Sequence, residues 1–127
     1  MASEVLKAAG FTGADLDVAL GVSYVESDFG YADAVGDTTL VNDKWGPSIG
    51  LFQIRSLRHP KDYPAPDDLR VAAALRDVTY NVATAYAIVK KYGWKQWSTY
   101  NSGSYLKYAG KDYALKTGHP RAGMWNL

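Results

Sequence analysis

Residues 12–30 read Thr-Gly-Ala-Asp-Leu-Asp-Val-Ala-Leu-Gly-Val-Ser-Tyr-Val-Glu-Ser-Asp-Phe-Gly, and the fold turns on how that stretch is read. Thr12 is of the right type to cap a helix N-terminus. Leu16, Ala19, Leu20 and Tyr24 follow at the spacing that lines up apolar side chains on one helix face. Glu26 falls near the end of this helix, just before Asp28-Phe29-Gly30. A carboxylate there meets the negative end of the helix dipole, which disfavours its ionised form. Such an acid is either kept for chemistry or is an ordinary solvated residue, and the rest of the chain has to decide.

Upstream, Ser3 to Ala9 predicts a short helix stopped by Gly10. Downstream the pattern changes. Gly36-Asp37-Thr38-Thr39, Asn42-Asp43-Lys44 and Trp45-Gly46-Pro47-Ser48-Ile49-Gly50 are rich in turn formers, so short strands or a hairpin are expected between Val35 and Ile54, flanking a cleft. After a loop holding Pro60, Pro64 and Pro66, a helix is expected from Asp67-Asp68 through Leu75. A longer one should run from Asp77 to Tyr92, with Val78, Val82, Ala85 and Val89 on one face and Gly93 as its stop. Shorter helical pieces are expected over Lys95 to Tyr100 and Ser104 to Tyr108, whereas Gly110 to Leu127 carries little pattern. The expectation is a mainly helical α+β domain with a small β element beside a cleft. No repeat or linker divides the chain, so residues 1–127 read as a single domain.

A chain of 127 residues should bury about two-thirds of its unfolded surface, enough for one core. The net charge of +1 and the lack of a basic stripe argue against a nucleic-acid partner; Lys90-Lys91, with Lys95 beyond, reads as a solvated helix end. Zero cysteines exclude a disulfide framework and a cysteine metal site. His59 and His119 lie sixty residues apart without ligand-like spacing, so no metal is expected. No run approaches the roughly 18 apolar residues of a membrane span. Met1-Ala2-Ser3-Glu4 lacks the features of a signal peptide, so a soluble chain is expected. There is no phosphate loop and no Ser/His/Asp set. Ten Tyr and four Trp suit half-exposed positions in a binding cleft, or equally a well-packed core.

Three separated segments carry chemistry: Val25-Glu26-Ser27-Asp28-Phe29, Gly50-Leu51-Phe52-Gln53-Ile54, and Ser98-Thr99-Tyr100-Asn101-Ser102-Gly103. Singly each is a common helix end, strand or turn. In this order, over about Leu16 to Tyr108, they resemble the goose-type lysozymes and soluble lytic transglycosylases. In that group Glu-Ser closes a core helix, Gly-Leu-x-Gln follows some twenty residues on, and Tyr-Asn-x-Gly comes near the end.

The resemblance implies a lysozyme-like fold and a peptidoglycan-cleaving glycosidase with Glu26 as catalytic acid. Breaking a glycosidic bond requires protonating a poor leaving oxygen as an oxocarbenium-like centre develops. A carboxyl does this near neutral pH only if burial keeps its proton on, and Tyr24, Val25, Phe29 and Trp45 are the candidates to shield it. By the same resemblance Gln53 lies at the cleft wall, and Tyr100 hydrogen-bonds near the catalytic carboxyl. Asn101 would then contact sugar or hold its loop. Gly50 would let sugar or backbone approach, and Ser48 and Trp45 join the substrate-binding set. Trp94 and Trp97 read better as core, and Ser27 as the residue that orients the helix end.

A second carboxylate is less obvious. In hen-type lysozymes an Asp lies two residues before the Gly of the Gly-x-x-Gln motif, where Ser48 stands here, and in goose-type enzymes an Asp directly follows the motif, where Arg55 stands. Asp37 and Asp43 remain candidates to hold a water, with solvated turns as the alternative for each. A lytic transglycosylase needs only one carboxylate, because the sugar's own 6-hydroxyl attacks to give a 1,6-anhydro product. Both reactions stay open. Cleavage would fall at the β-1,4 bond between N-acetylmuramic acid and N-acetylglucosamine, without a cofactor, by a monomer. The chain also resembles a phage endolysin's catalytic module, made in the host cytoplasm and released to the wall, or carried on the virion; it could be the N-terminal module of a longer protein. The competing expectations are a lysozyme-like module that binds glycan without cutting it, and a helical interaction domain whose motifs lie far apart.

Overall fold

The computed structural model describes residues 1–127 and places the stretch quoted above in helix α2, Gly13–Glu26, with Ala19, Leu20, Gly21, Val22 and Ser23 buried. Thr12 is the N-cap residue in an extended conformation, though its side chain makes no cap bond. Helix α1, Ala2–Ala9, precedes it and ends at Gly10. Three short strands follow: β1 (Val35–Gly36), β2 (Trp45–Ile49) and β3 (Ile54–Leu57). They form one antiparallel sheet in the order β1-β2-β3, with Val35 opposite Ile49 and Ile49 opposite Ile54. Proline in a middle strand removes a ladder bond, and Pro47 accordingly falls where the β2–β3 register slips between Trp45 and Ser48. The result is the mixed α+β architecture expected, with the small sheet where turn residues had marked it.

The helix expected from Asp67 to Leu75 is broken in two. A 3₁₀ turn covers Asp67–Leu69 and α3 covers only Ala72–Leu75. The cause is tertiary: the Arg70 carbonyl accepts from the Leu57 N–H of β3 at 2.9 Å, and Val71 is extended. Helix α4, Val78–Tyr92, is capped by Asp77, whose carboxylate accepts from the Tyr80 N–H at 2.9 Å, and it stops at Gly93. Beyond it come a 3₁₀ turn at Trp94–Gln96, α5 at Ser98–Asn101 and a second 3₁₀ segment at Ser104–Tyr108. No helix is long and apolar enough to cross a membrane.

The core lies where α1, α2 and α4 meet the underside of the sheet loop. Leu6, Phe11, Ala19, Val22, Phe52, Val82, Ala85 and Ile88 are buried there. Phe11 stacks on Phe52 and Trp94 at centroid distances of 5.9 and 5.6 Å, and Trp97 meets Phe52 edge-on at 5.8 Å. The indole N–H of Trp97 donates to the Phe52 carbonyl at 2.7 Å, and that of Trp94 to Asp15 at 3.2 Å. Both indoles are core, as their polar tips find fixed partners.

Candidate active site

Glu26 is the last residue of α2, and its side chain points into a cleft of about 300 Å³ between α2, the sheet and the Trp94–Asn101 segment. Ile54, Ile88, Trp45 and Trp97 give the cleft its apolar surfaces, and Asp37, Ser48, Gln53, Arg55 and Arg70 its polar ones. Burial pushes the Glu26 carboxyl above the usual carboxylate range. Hydrogen bonding from Thr99, whose hydroxyl donates to Oε2 at 2.8 Å, pulls the other way, and the charge of Asp37 adds to the upward push. Desolvation is the largest of these effects, so the group behaves as an acid that keeps its proton longer than a surface glutamate would.

The shielding does not come from all the residues expected. Tyr24 and Phe29 pack on Tyr108, at 4.8 and 5.7 Å between ring centroids, and Tyr24 also on Tyr113 at 4.8 Å. They form a separate aromatic cluster away from the cleft lining. For Tyr24 the helical rotation of 100° per residue explains this, since position 24 faces away from position 26; Phe29 lies beyond the helix end. Trp45 does line the cleft, with the guanidinium groups of Arg55 and Arg70 at 5.6 and 5.8 Å from its ring.

Asp37 lines the same cleft, held by a hydrogen bond of 2.5 Å from the Ser48 hydroxyl. It adopts a left-handed backbone, φ 53°, which a non-glycine residue takes only where its surroundings insist. Asp43 does not line the cleft: it lies exposed in a turn that the Asn42 side chain closes by accepting from the Lys44 and Trp45 N–H groups. Gln53 lies at the cleft wall, also left-handed at φ 47°, and its amide donates to the Ala34 and Gly50 carbonyls at 3.0 Å each. It thus ties β1 to the β2–β3 loop. Gly50 is buried and faces the core, where a Cβ would collide with the Asn81 side-chain amide. The close approach it permits is by protein, and it does not line the cleft.

The third segment differs most from expectation. Tyr100 stacks on Tyr105 and Trp94, at 5.1 and 6.3 Å, and Asn101 donates to the Lys95 carbonyl; neither lines the cleft. The hydroxyl that reaches Glu26 belongs to Thr99, inside the same motif but one residue earlier. Arg70, which follows the Asp67–Leu69 turn, and Gln96, at the end of the Trp94–Gln96 turn, also line the cleft; neither belongs to a motif, and packing alone brings them there. Ser27 acts as expected: its hydroxyl donates to the Ser23 carbonyl at 2.6 Å and accepts from the Gly30 N–H at 3.0 Å, closing the helix end.

A helical domain with one shielded acid at a helix end, facing a sheet across an open cleft, defines the class. The chain matches the lysozyme-like domain family over residues 3–99, and it belongs to that family. No curated protein and no solved structure matches it.

Proposed function

We propose that the protein is a peptidoglycan glycosidase that cuts the β-1,4 bond between N-acetylmuramic acid and N-acetylglucosamine, with Glu26 as general acid. One observation carries this reading: a single carboxyl, raised in pKa by burial, is held by Thr99 inside the cleft of a lysozyme-like domain. Glu26 would give its proton to the leaving oxygen as the C1–O4 bond breaks, the step that needs an acid still protonated near neutral pH. Trp45 offers a flat apolar face for a sugar ring, and Gln53 a polar side chain at the cleft wall. Gly50, Tyr100 and Asn101 would serve by shaping the walls.

Asp37 is the second carboxylate of the hydrolytic route. Ser48 stands where hen-type lysozymes carry an Asp, and its hydroxyl steadies the carboxylate that reaches the cleft from the β1 side. Asp37 would stabilise the developing positive charge or take a proton from the attacking water. A lytic transglycosylase is the second reading, favoured by the exposure of Asp37 and by the lack of a carboxylate at Ser48 and Arg55. There Glu26, now a carboxylate, takes the proton of the 6-hydroxyl while O6 bonds to C1. Action in bacterial wall lysis, as a phage endolysin module, is the biological setting proposed.

Mass spectrometry of digested peptidoglycan tests both readings. Reducing ends mean hydrolysis, and 1,6-anhydro-muropeptides mean transglycosylation. Glu26→Gln keeps the shape and removes the proton, so cleavage should fall by at least about 10² to 10⁴ with the fold intact. If the Gln variant clears purified peptidoglycan as the parent does, Glu26 is not the acid. Binding to peptidoglycan with no new ends of either kind would support the non-cutting module instead.

A further inference from the structure

The family match stops at residue 99, yet the residues after Gly110 are stitched to the segment that follows Glu26. Lys116 donates its N–H to the Gly30 carbonyl and accepts from the Ala32 N–H, both at 2.8 Å. The Gly118 and His119 N–H groups donate to the Asp33 carboxylate at 2.7 and 3.2 Å, and Arg121 Nε donates to the Val35 carbonyl at 2.8 Å. At the centre of this seam the His119 side chain is only 3% exposed, its ring edge-on to Tyr31 at 5.4 Å. Its Nδ1 accepts from the Arg121 N–H at 3.2 Å. In the neutral ring the proton therefore sits on Nε2, which donates to Asp28 Oδ2 at 2.7 Å.

Asp28 and Phe29 are consecutive left-handed residues, φ 52° and 70°, immediately beyond the helix end that carries Glu26. Two non-glycine residues hold that conformation only when neighbours over-determine it. From inside, the Ser27 hydroxyl accepts from the Gly30 N–H and the Phe29 N–H reaches the Tyr24 carbonyl. From outside, His119 holds Asp28. Arg121 Nη2 lies 3.8 Å from the same carboxylate, but both groups are open to solvent and the pair is screened.

We propose that His119 is a positioning residue: through Asp28 it holds the left-handed turn closed and so fixes the helix end from which the Glu26 side chain enters the cleft. This rests on Glu26 being the acid, and it extends the working unit of the site beyond the span of the family match. His119 does not line the cleft, so it acts through the turn.

The test pairs two readouts on four variants of the full chain: His119→Ala, His119→Gln, Asp28→Ala and Asp28→Asn. The first readout is the titration of the Glu26 carboxyl carbon by NMR, and the second is kcat and KM on purified peptidoglycan. With the clamp cut, both Ala variants should titrate Glu26 nearer the ordinary range as the carboxyl gains solvent. They should also lose about tenfold to a hundredfold in kcat with KM held. Gln can still donate to Asp28, and Asn can still accept from His119, so those two should stay close to the parent. Folded Ala variants with the parent's Glu26 titration overturn the proposal. So does an Asp28→Asn variant that behaves like Asp28→Ala, which would leave only a charge effect. If His119→Ala does not fold, the exposed Asp28 pair decides the matter. The NMR arm needs no catalysis, so a parent that fails to cut glycan counts against the glycosidase reading while the clamp is still judged on the titration.

Discussion

Glu26 owes its properties to what lies around it. Burial raises its pKa, the Thr99 hydroxyl opposes the rise, and Asp37 reinforces it. Removing the hydroxyl with Thr99→Val should therefore raise the Glu26 pKa further and move the basic limb of the kcat profile to higher pH. A limb that moves to lower pH would contradict this account. The same shift has a consequence for stability. A carboxyl whose folded pKa exceeds its unfolded value binds protons more tightly when folded, so its contribution is full below about pH 4.5 and is lost as pH rises through the folded pKa. Glu26→Gln removes that loss. The variant should melt higher than the parent at pH 7, and the difference should vanish as the pH falls below about 4.5. Melting curves at several pH values check the sign.

Helix α2, which carries the acid, packs very close to the 3₁₀ segment Ser104–Tyr108. Gly21 makes this possible: a Cβ there would lie 2.5 Å from the Tyr105 carbonyl oxygen and 3.1 Å from the Ala109 nitrogen. Alanine is the better helix former by about 1 kcal/mol, so propensity alone favours Gly21→Ala. The obstacle is backbone, which cannot rotate away as a side chain can. We expect a net destabilisation of about 1–3 kcal/mol, read from the urea midpoint. A gain in stability would mean that the two segments separate easily. The neighbouring elements were legible to different degrees. The stop at Gly10 marked α1, Thr12 and the spacing of Leu16, Ala19, Leu20 and Tyr24 marked α2, and an apolar face ending at Gly93 marked α4, because all of these are local features. Helical patterning overran at Asp67–Leu75, where the Arg70 carbonyl serves the sheet and the helix has to break.

The cleft as a whole depends on a joint between its two sides. Asn81 of α4 is fully buried; its carbonyl accepts from the Phe52 N–H at 3.0 Å, and its amide donates to the Ile49 and Leu75 carbonyls at 2.8 and 3.0 Å. One side chain thus fastens the β2–β3 loop, with Gln53 at its end, to the helical side of the molecule. Asn81→Ala would strand three buried backbone groups, each worth about 1–3 kcal/mol, so a loss of about 3 kcal/mol or more is expected. A chemical denaturation curve within about 1 kcal/mol of the parent's would show that water replaces the joint. The tail is a second joint: Tyr113 is buried, its hydroxyl 2.5 Å from that of Ser23 in α2, and its carbonyl accepts from the Ala2 N–H at 2.8 Å. Nothing in the pattern of residues 110–127 announces these contacts, since single residues rather than a periodic face make them.

Read as a string, the chain settles its class, its long helices, the place of its small sheet, and the candidacy of Glu26, Gln53 and the Ser98–Gly103 segment, because periodicity, turn chemistry and motif order are written within a few neighbouring positions. Folding assigns the rest. It puts Thr99 rather than Tyr100 on the acid, selects Asp37 over Asp43 for the cleft, turns Gly50 inward and sets His119 against Asp28. These depend on segments from different parts of the chain coming together, Thr99 on Glu26 and His119 on Asp28 across more than seventy positions, and packing, not local preference, determines such meetings.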